Sequence, residues 1–283
     1  MILSVQFEDK LLKFPDLARK TLASGYMIRF LAILVYIGAI FLTVVNPMLT
    51  TVTIIPSIVT LVGVVLVVIG WFKVRTWSIN KAYLLAFIGS IIVLASLILT
   101  IYSAYTLGYL TEVTLPNQTI SFVEYKEQYI KTIEDMQRTM KDPINYAPMI
   151  LMGIGLIMEG IGFKGLNKDT GGSIPLYIFI LLLILGIIQI IIGLLNPLIA
   201  DSLDSVKRDA MNAGSLLDLR SVEYKLSIAL LPLVLVAIPM IIISVFTYLI
   251  VSLKMWKIKE QVEKLKMLME RSEKKREEEE LLI

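Results

Sequence analysis

The chain has 283 residues, of which 57% are hydrophobic and only 18% are charged, and its formal net charge is +3. It contains no Cys and no His. These absences exclude disulfides, thiol catalysis, thiolate metal sites, imidazole chemistry and haem held by His.

Six long apolar runs predict an all-α, polytopic membrane protein with six transmembrane helices, because a bilayer core about 30 Å thick needs about 20 apolar residues per helix. The runs lie at roughly 27–46, 51–72, 82–106, 146–163, 174–200 and 226–253. The fourth run is the shortest. Residues 1–26 are charged throughout and lack the apolar region of a cleavable signal peptide, so none is expected.

The distribution of basic residues predicts the orientation of these helices. With a cytoplasmic N-terminus, 19 of the 27 Lys and Arg residues fall in cytoplasmic segments, where basic residues accumulate. Trp71, Trp77 and Trp256 then lie at cytoplasmic interfaces. We therefore expect both termini on the cytoplasmic side of the cell membrane. The resulting segments are a cytoplasmic 1–26, spans 27–106, an outer loop 107–145, spans 146–253 with an outer segment 201–225, and a cytoplasmic 254–283.

The N-terminal segment carries an apolar stripe spaced by three or four residues, which predicts an amphipathic helix. Pro15 would break or restart that helix, so two short helices are expected. The segment is interpreted either as an interfacial helix on the inner leaflet or as a docking surface for a partner. The stripe consists of Leu3, Phe7, Leu11, Phe14, Ala18 and Leu22.

The outer loop is long enough to contain its own helix. Ser121 followed by Glu124 is a capping box, and Asp142-Pro143 predicts the end of a helix of about 20 residues. Its apolar face is expected to rest on the membrane or on neighbouring spans, or else to bind an extracellular partner or cap a pore. That face comprises Phe122, Tyr125, Tyr129, Ile133, Met136 and Met140. Asn117 begins an Asn-Gln-Thr sequon and is a candidate glycosylation site.

The second outer segment, 201–225, is predicted to form one or two short helices punctuated at Gly214. The two outer segments together contain eleven acidic and eight basic residues. This excess of acids is interpreted either as a cation-attracting vestibule or as an ordinary solvated surface.

Two polar residues within the predicted spans are candidate functional residues, because burying such groups in a bilayer is costly. Glu159 is interpreted either as a carboxylate that reaches the inner interface, one turn from Lys164, or as a ligand for an ion or proton. Gln189 is expected to hydrogen-bond a neighbouring helix or to bind a substrate. No second acid, Lys or Arg is expected at matching depth, which disfavours a coupled ion site.

Two further patterns concern helix packing. Ala82, Ala86 and Ser90 form a row of small residues that predicts close helix approach. Pro232 and Pro239 in the sixth span each free a backbone carbonyl, and we interpret them as candidate hinges.

The C-terminal segment continues the last predicted span as a helix with a heptad seam. This seam is interpreted as a coiled-coil contact in an oligomer or with a cytoplasmic partner, or as packing against the chain's own N-terminal helix. It consists of Val251, Met255, Ile258, Val262, Leu265 and Met269.

These features predict contacts rather than chemistry. An enzyme needs positioned acids, bases, nucleophiles or metal ligands, and few are available, so we expect no enzyme activity and no cofactor. The chain is interpreted as an integral membrane subunit of a multi-protein assembly of the translocation, secretion or DNA-transfer type. The alternative is an oligomeric channel or transporter for ions or small solutes. The expected partners are the lipid bilayer, further copies of the chain and other subunits, without direct binding of nucleic acid.

Overall fold

The computed structural model of the chain describes residues 12–45, 54–108 and 121–280, and all regular secondary structure in these residues is helical. Six of the helices are long and apolar enough to cross a membrane, which confirms the prediction of six candidate transmembrane helices, including the short fourth one. The helices are α1 (Asp16–Val45), α2 (Ile54–Trp77), α3 (Lys81–Gly108), α4 (Phe122–Lys141), α5 (Pro143–Asp169), α6 (Tyr177–Asn212) and α7 (Leu216–Glu280). The helix that is not a candidate span is α4.

The chain forms two compact units, and several helices contribute to both. The first unit comprises Met1–Leu94, Gly155–Leu185 and Ile243–Ile283. The second unit comprises Ala95–Ile154 and Gly186–Ile242.

In the first unit, α1 differs from the predicted interfacial segment. It begins at Asp16, directly after Pro15, and continues without a break at residue 26 into the first apolar run. Ala18 and Leu22 are fully buried, and Leu22 packs against Gly70 of α2. The described half of the N-terminal stripe is therefore covered by protein, and α1 is one long helix from residue 16 onward. The stripe residues Leu3, Phe7 and Leu11 lie outside the described residues.

Small residues allow α3 and α5 to approach closely, as the row on α3 predicted. A Cβ atom built on Gly155 would lie 2.6 Å from the backbone oxygen of Gly89. Similarly, a Cβ atom built on Gly165 would lie 2.9 Å from the Cβ atom of Ala82. Ala86 and Ser90 are fully buried.

In the second unit, α4 begins and ends where the sequence predicts. Ser121 caps its first turn and forms the complete capping box with Glu124, and Asp142 is the C-cap. The apolar face of α4 packs against the end of α6 and the start of α7, which supports the interpretation that it rests on neighbouring helices. The buried residues of this cluster are Ile133, Leu203, Val206, Ala210 and Val222.

The interruption predicted at Gly214 is confirmed, but the segment 201–225 does not form separate short helices. Its first part is the end of α6 and its last part is the start of α7, and the chain turns between them at Ala213-Gly214-Ser215. Both parts are extensions of the long helices, because the apolar contacts with α4 continue beyond the predicted ends of the apolar runs.

The last helix, α7, has 65 residues and contains both Pro232 and Pro239. Of the seam residues, Val251, Met255 and Ile258 are buried, with at most 1% of each exposed. Backbone positions 262, 265 and 269 are helical, but the side chains of Val262, Leu265 and Met269 lie outside the described part of the chain. Asn117 also lies outside the described part, so its glycosylation remains a prediction. Pro232 and Pro239 lie within the helix, and their role as hinges also remains a prediction.

Candidate functional site

Four polar side chains from three helices meet in the interior of the first unit. Tyr26 and Arg29 come from α1, three residues apart and therefore on one helix face. Glu159 comes from α5 and Tyr248 from α7. None of the four is more than 8% exposed. We call these four residues the ionic cluster.

The carboxylate of Glu159 is the centre of the ionic cluster. Its Oε2 atom accepts a hydrogen bond from the Tyr26 hydroxyl at 2.6 Å and another from Nη1 of Arg29 at 3.3 Å. Glu159 is 0% exposed and Arg29 is 2% exposed. A buried charge is tolerated only when it is paired and hydrogen-bonded, and both conditions are met here. The contacts therefore fix the carboxylate and join α1 to α5.

Arg29 also connects this pair to α7. Its guanidinium carbon lies 4.5 Å from the centroid of the Tyr248 ring and 5.4 Å from that of the Tyr26 ring. A guanidinium over an aromatic face is attracted by the negative charge of the ring's π-system. One buried cation therefore links three helices.

An aromatic layer borders the ionic cluster. The ring centroid of Phe163 lies 5.8 Å from that of Tyr26 and 5.0 Å from that of Trp71. Phe163 and Trp71 are both buried. This layer keeps the Tyr26 side of the cluster away from water, which strengthens the electrostatic contacts inside it.

The ionic cluster and the aromatic layer beside it retain unused hydrogen-bonding capacity. Oε1 of Glu159, Nε of Arg29 and Nε1 of Trp71 are buried and have no hydrogen-bond partner among the described residues. Such atoms are rare in folded proteins, and each calls for an explanation. An acceptor on Glu159 and a donor on Arg29 are the groups needed to hold a proton or a small polar molecule.

The sequence identified one member of the ionic cluster and missed three. We expected Glu159 to reach the interface or to bind an ion, and its complete burial contradicts the first alternative. The expectation that no cation lies at matching depth is wrong, because Arg29 pairs with it. The positive-inside pattern groups Arg29 with the 19 cytoplasmic basic residues, although it lies inside the first apolar run. The feature of the sequence that indicates a buried role for Arg29 is its position inside the apolar run, three residues after Tyr26.

The second candidate polar residue, Gln189, belongs to the second unit. Its Nε2 atom lies 3.6 Å from the sulfur of Met152 on α5. This is the contact with a neighbouring helix that was expected. Gln189 is half-buried, and a neutral amide on a thioether makes only a weak hydrogen bond.

Metal ligands and relatives give no additional assignment. Among the side chains that the structure describes, no three acidic groups lie close enough together to hold a metal ion. The chain matches no protein-family model, no curated protein and no solved structure.

Proposed function

We propose that this chain is a non-enzymatic subunit of a multi-protein membrane assembly of the translocation, secretion or DNA-transfer type. Both termini face the cytoplasm of the cell. In this proposal α7 is the helix that contacts the other subunits. The observation that carries it is the absence of buried residues over positions 223–243 of α7, all of which are described.

The exposure of α7 distinguishes it from the other candidate spans. Only 6% of its most apolar 18-residue window is buried, compared with 33–50% in the other five. Large apolar side chains in this stretch are mostly uncovered, with 61% of Leu235 and 53% of Ile238 exposed. Apolar side chains left uncovered by their own chain are available for contact with lipid or with another protein.

The same helix becomes well buried farther along. Its seven buried residues between positions 244 and 258 recur at helical spacing and face the first unit. They are Ser244, Thr247, Tyr248, Val251, Ser252, Met255 and Ile258. The exposed stretch therefore lies between two packed parts of α7, with Val222 in the α4 cluster before it and Ser244 in the first unit after it. Both ends hold the stretch in place, which leaves its uncovered side chains available to a partner.

The length of α7 also supports contacts outside the bilayer. At about 1.5 Å per residue, its 65 residues extend roughly 97 Å, about three times the thickness of a bilayer core. The heptad register of the seam continues past the buried Ile258 through positions 262, 265 and 269. In the proposal, this extension reaches a cytoplasmic subunit.

Photocrosslinking in native membranes tests this proposal. A photoreactive residue at Leu235 or Ile238 should yield adducts with other proteins. The matched control is Ile187 on α6, which is apolar and 45% exposed, and it should label lipid only. Equal labelling of lipid from all three positions would contradict the proposed contact. Adducts with further copies of the chain alone would favour the alternative function.

The alternative function is an oligomeric channel or transporter for ions or small solutes. The observation that favours it is the ionic cluster, since buried ionisable residues in candidate spans mark ion and proton pathways. The intact oligomer, reconstituted in liposomes, should then pass protons or ions, and Glu159→Gln should abolish the flux. Liposomes that remain impermeable with an intact oligomer would rule this alternative out.

A further inference from the structure

Three helix ends meet at one edge of the first unit. Helix α2 ends at Trp77, α3 begins at Lys81 and α5 ends at Asp169. The rings of Trp77 and Tyr83 have centroids 6.2 Å apart, and the Tyr83 hydroxyl donates to Oδ2 of Asp169 at 2.6 Å. The three ends are therefore held together as one surface.

This surface carries basic side chains on all three helices. Four of them are exposed and one, on α2, is half-buried. None of them forms an ion pair with a described residue. We call them the basic rim, which consists of Lys73, Arg75, Lys81, Lys164 and Lys168.

Among the described residues, no acid forms an ion pair with the basic rim. Asp169, the acidic residue at these three helix ends, accepts hydrogen bonds from Tyr83 and from Asn80. At the start of α1, Asp16 pairs with Lys20 and Arg19. The described part of the second unit is different, because it has ten acidic and eight basic residues and includes three ion pairs. The described part of the first unit therefore carries an excess of positive charge, whereas that of the second unit does not.

Aromatic side chains lie beneath the basic groups. Nζ of Lys73 is 5.8 Å from the centroid of the Phe72 ring, and Nζ of Lys164 is 5.5 Å from that of Phe179. The guanidinium carbon of Arg75 is 5.7 Å from the Phe87 centroid. Basic groups bordering aromatic and apolar surface are typical of the level where a bilayer meets water.

We infer that the basic rim binds the anionic headgroups of the surrounding bilayer. Its residues lie at the ends of three candidate spans, Ile55–Trp77, Lys81–Ser103 and Pro143–Asp169. Headgroup phosphates are presented at this level, and each nearby Lys or Arg is attracted to an anionic leaflet. The charges are spread along an edge over three helix ends, which matches a row of headgroups. The inference does not depend on the proposed function.

Spin-labelled lipids test the inference on the full chain reconstituted in vesicles. Electron paramagnetic resonance measures the motionally restricted fraction of labelled phosphatidylglycerol and of labelled phosphatidylcholine. The wild-type chain should prefer phosphatidylglycerol by about threefold or more at low salt. The triple variant Arg75→Gln, Lys81→Gln, Lys168→Gln should lose most of this preference. High salt should weaken the wild-type preference.

Two variants serve as controls. The first control is a triple variant of the second unit, Lys131→Gln, Arg138→Gln, Arg220→Gln, which removes three exposed, unpaired charges. It should leave the preference for phosphatidylglycerol unchanged. The charge-conserving Arg75→Lys, Lys81→Arg, Lys168→Arg should also keep it. If the triple Gln variant does not fold, single Lys81→Gln and Lys168→Gln variants replace it. An unchanged preference in the rim variants, or an equal loss in both triple Gln variants, would overturn the inference.

Discussion

Nη1 of Arg29 lies 3.3 Å from Oε2 of Glu159, although 130 residues separate them along the chain. At most 2% of either side chain is exposed, so neither charge has water as an alternative partner. The stability of each ionised group therefore depends on the other. Contact with Tyr248 extends this dependence to α7.

Removing one partner of this pair should destabilise the protein strongly. Arg29→Ala leaves the Glu159 carboxylate buried without its cation, and Glu159→Ala leaves the guanidinium without its anion. Each should lower the free energy of unfolding by about 3–5 kcal/mol. The double variant Arg29→Met, Glu159→Leu removes both charges and should recover much of the loss.

Unfolding by SDS in mixed micelles, followed by Trp fluorescence, measures these free energies. If the double variant loses as much as the two single variants together, the charges act independently and the pairing is not what stabilises them. A change of less than about 1 kcal/mol in both single variants would also contradict the prediction.

Tyr248 should stabilise the protein through its ring more than through its hydroxyl. The guanidinium of Arg29 lies 4.5 Å from the ring centroid, and Tyr248→Phe retains that face. Tyr248→Leu removes it and should cost roughly 1–2 kcal/mol more than Tyr248→Phe. Repeating the comparison in an Arg29→Met background checks the cause. Without the cation, the difference in unfolding free energy between Tyr248→Phe and Tyr248→Leu should become smaller. A difference of the same size would show that the ring acts through packing alone.

The fold could largely be predicted because it depends on local patterns. A run of about 20 apolar residues is sufficient to identify a candidate span, and the capping box at Ser121 and Glu124 fixes a helix start from four neighbouring residues. The bounds of α1, α6 and α7 were missed because apolar contacts with other helices extend them beyond the apolar runs. Leu22 against Gly70 and Leu203 in the α4 cluster are examples.

The ionic cluster could be predicted only in part, because its members are brought together by helix packing. Glu159 was conspicuous as an acid in an apolar run. Arg29 resembled an ordinary flanking base because it lies two residues inside the predicted span. Tyr26 and Tyr248 carry no pattern in sequence that distinguishes them from the other ten Tyr residues. Which of them face the carboxylate is decided by the rotation of α1 and α7 about their axes.

Replacing a glycine by alanine should have opposite effects on stability at the tight contact of α3 with α5 and at an open position of α1. Gly155→Ala would place a Cβ atom 2.6 Å from the backbone oxygen of Gly89 and also 2.6 Å from a methyl carbon of Val93. Because the backbone of α3 cannot move aside cheaply, Gly155→Ala should lower the free energy of unfolding by about 1–3 kcal/mol. Gly38→Ala in α1 meets nothing within 4 Å and should be neutral or stabilising by up to about 1 kcal/mol. The same unfolding assay compares them, and equal effects would contradict the packing described.

Tyr129 in the α4 cluster should make the stability of the protein depend on pH. The Tyr129 hydroxyl is buried without a hydrogen-bond partner among the described residues. This burial, together with the negative charge of Glu223, raises the pKa of Tyr129 to about 12. In the unfolded chain the pKa of Tyr is about 10. Because the folded state holds this proton more tightly, its contribution to stability is complete below pH 10 and is lost as the pH rises towards 12.

Absorbance of tyrosinate at 295 nm measures this directly, as the difference between the wild-type chain and Tyr129→Phe. The difference should rise near pH 12, whereas a rise near pH 10 would show that the hydroxyl is open to water. Tyr129→Phe removes an unpaired buried hydroxyl, so its stability at pH 7 should be unchanged or higher. Between pH 10 and 12 it should lose less stability than the wild-type chain, because it has no proton at this position to release.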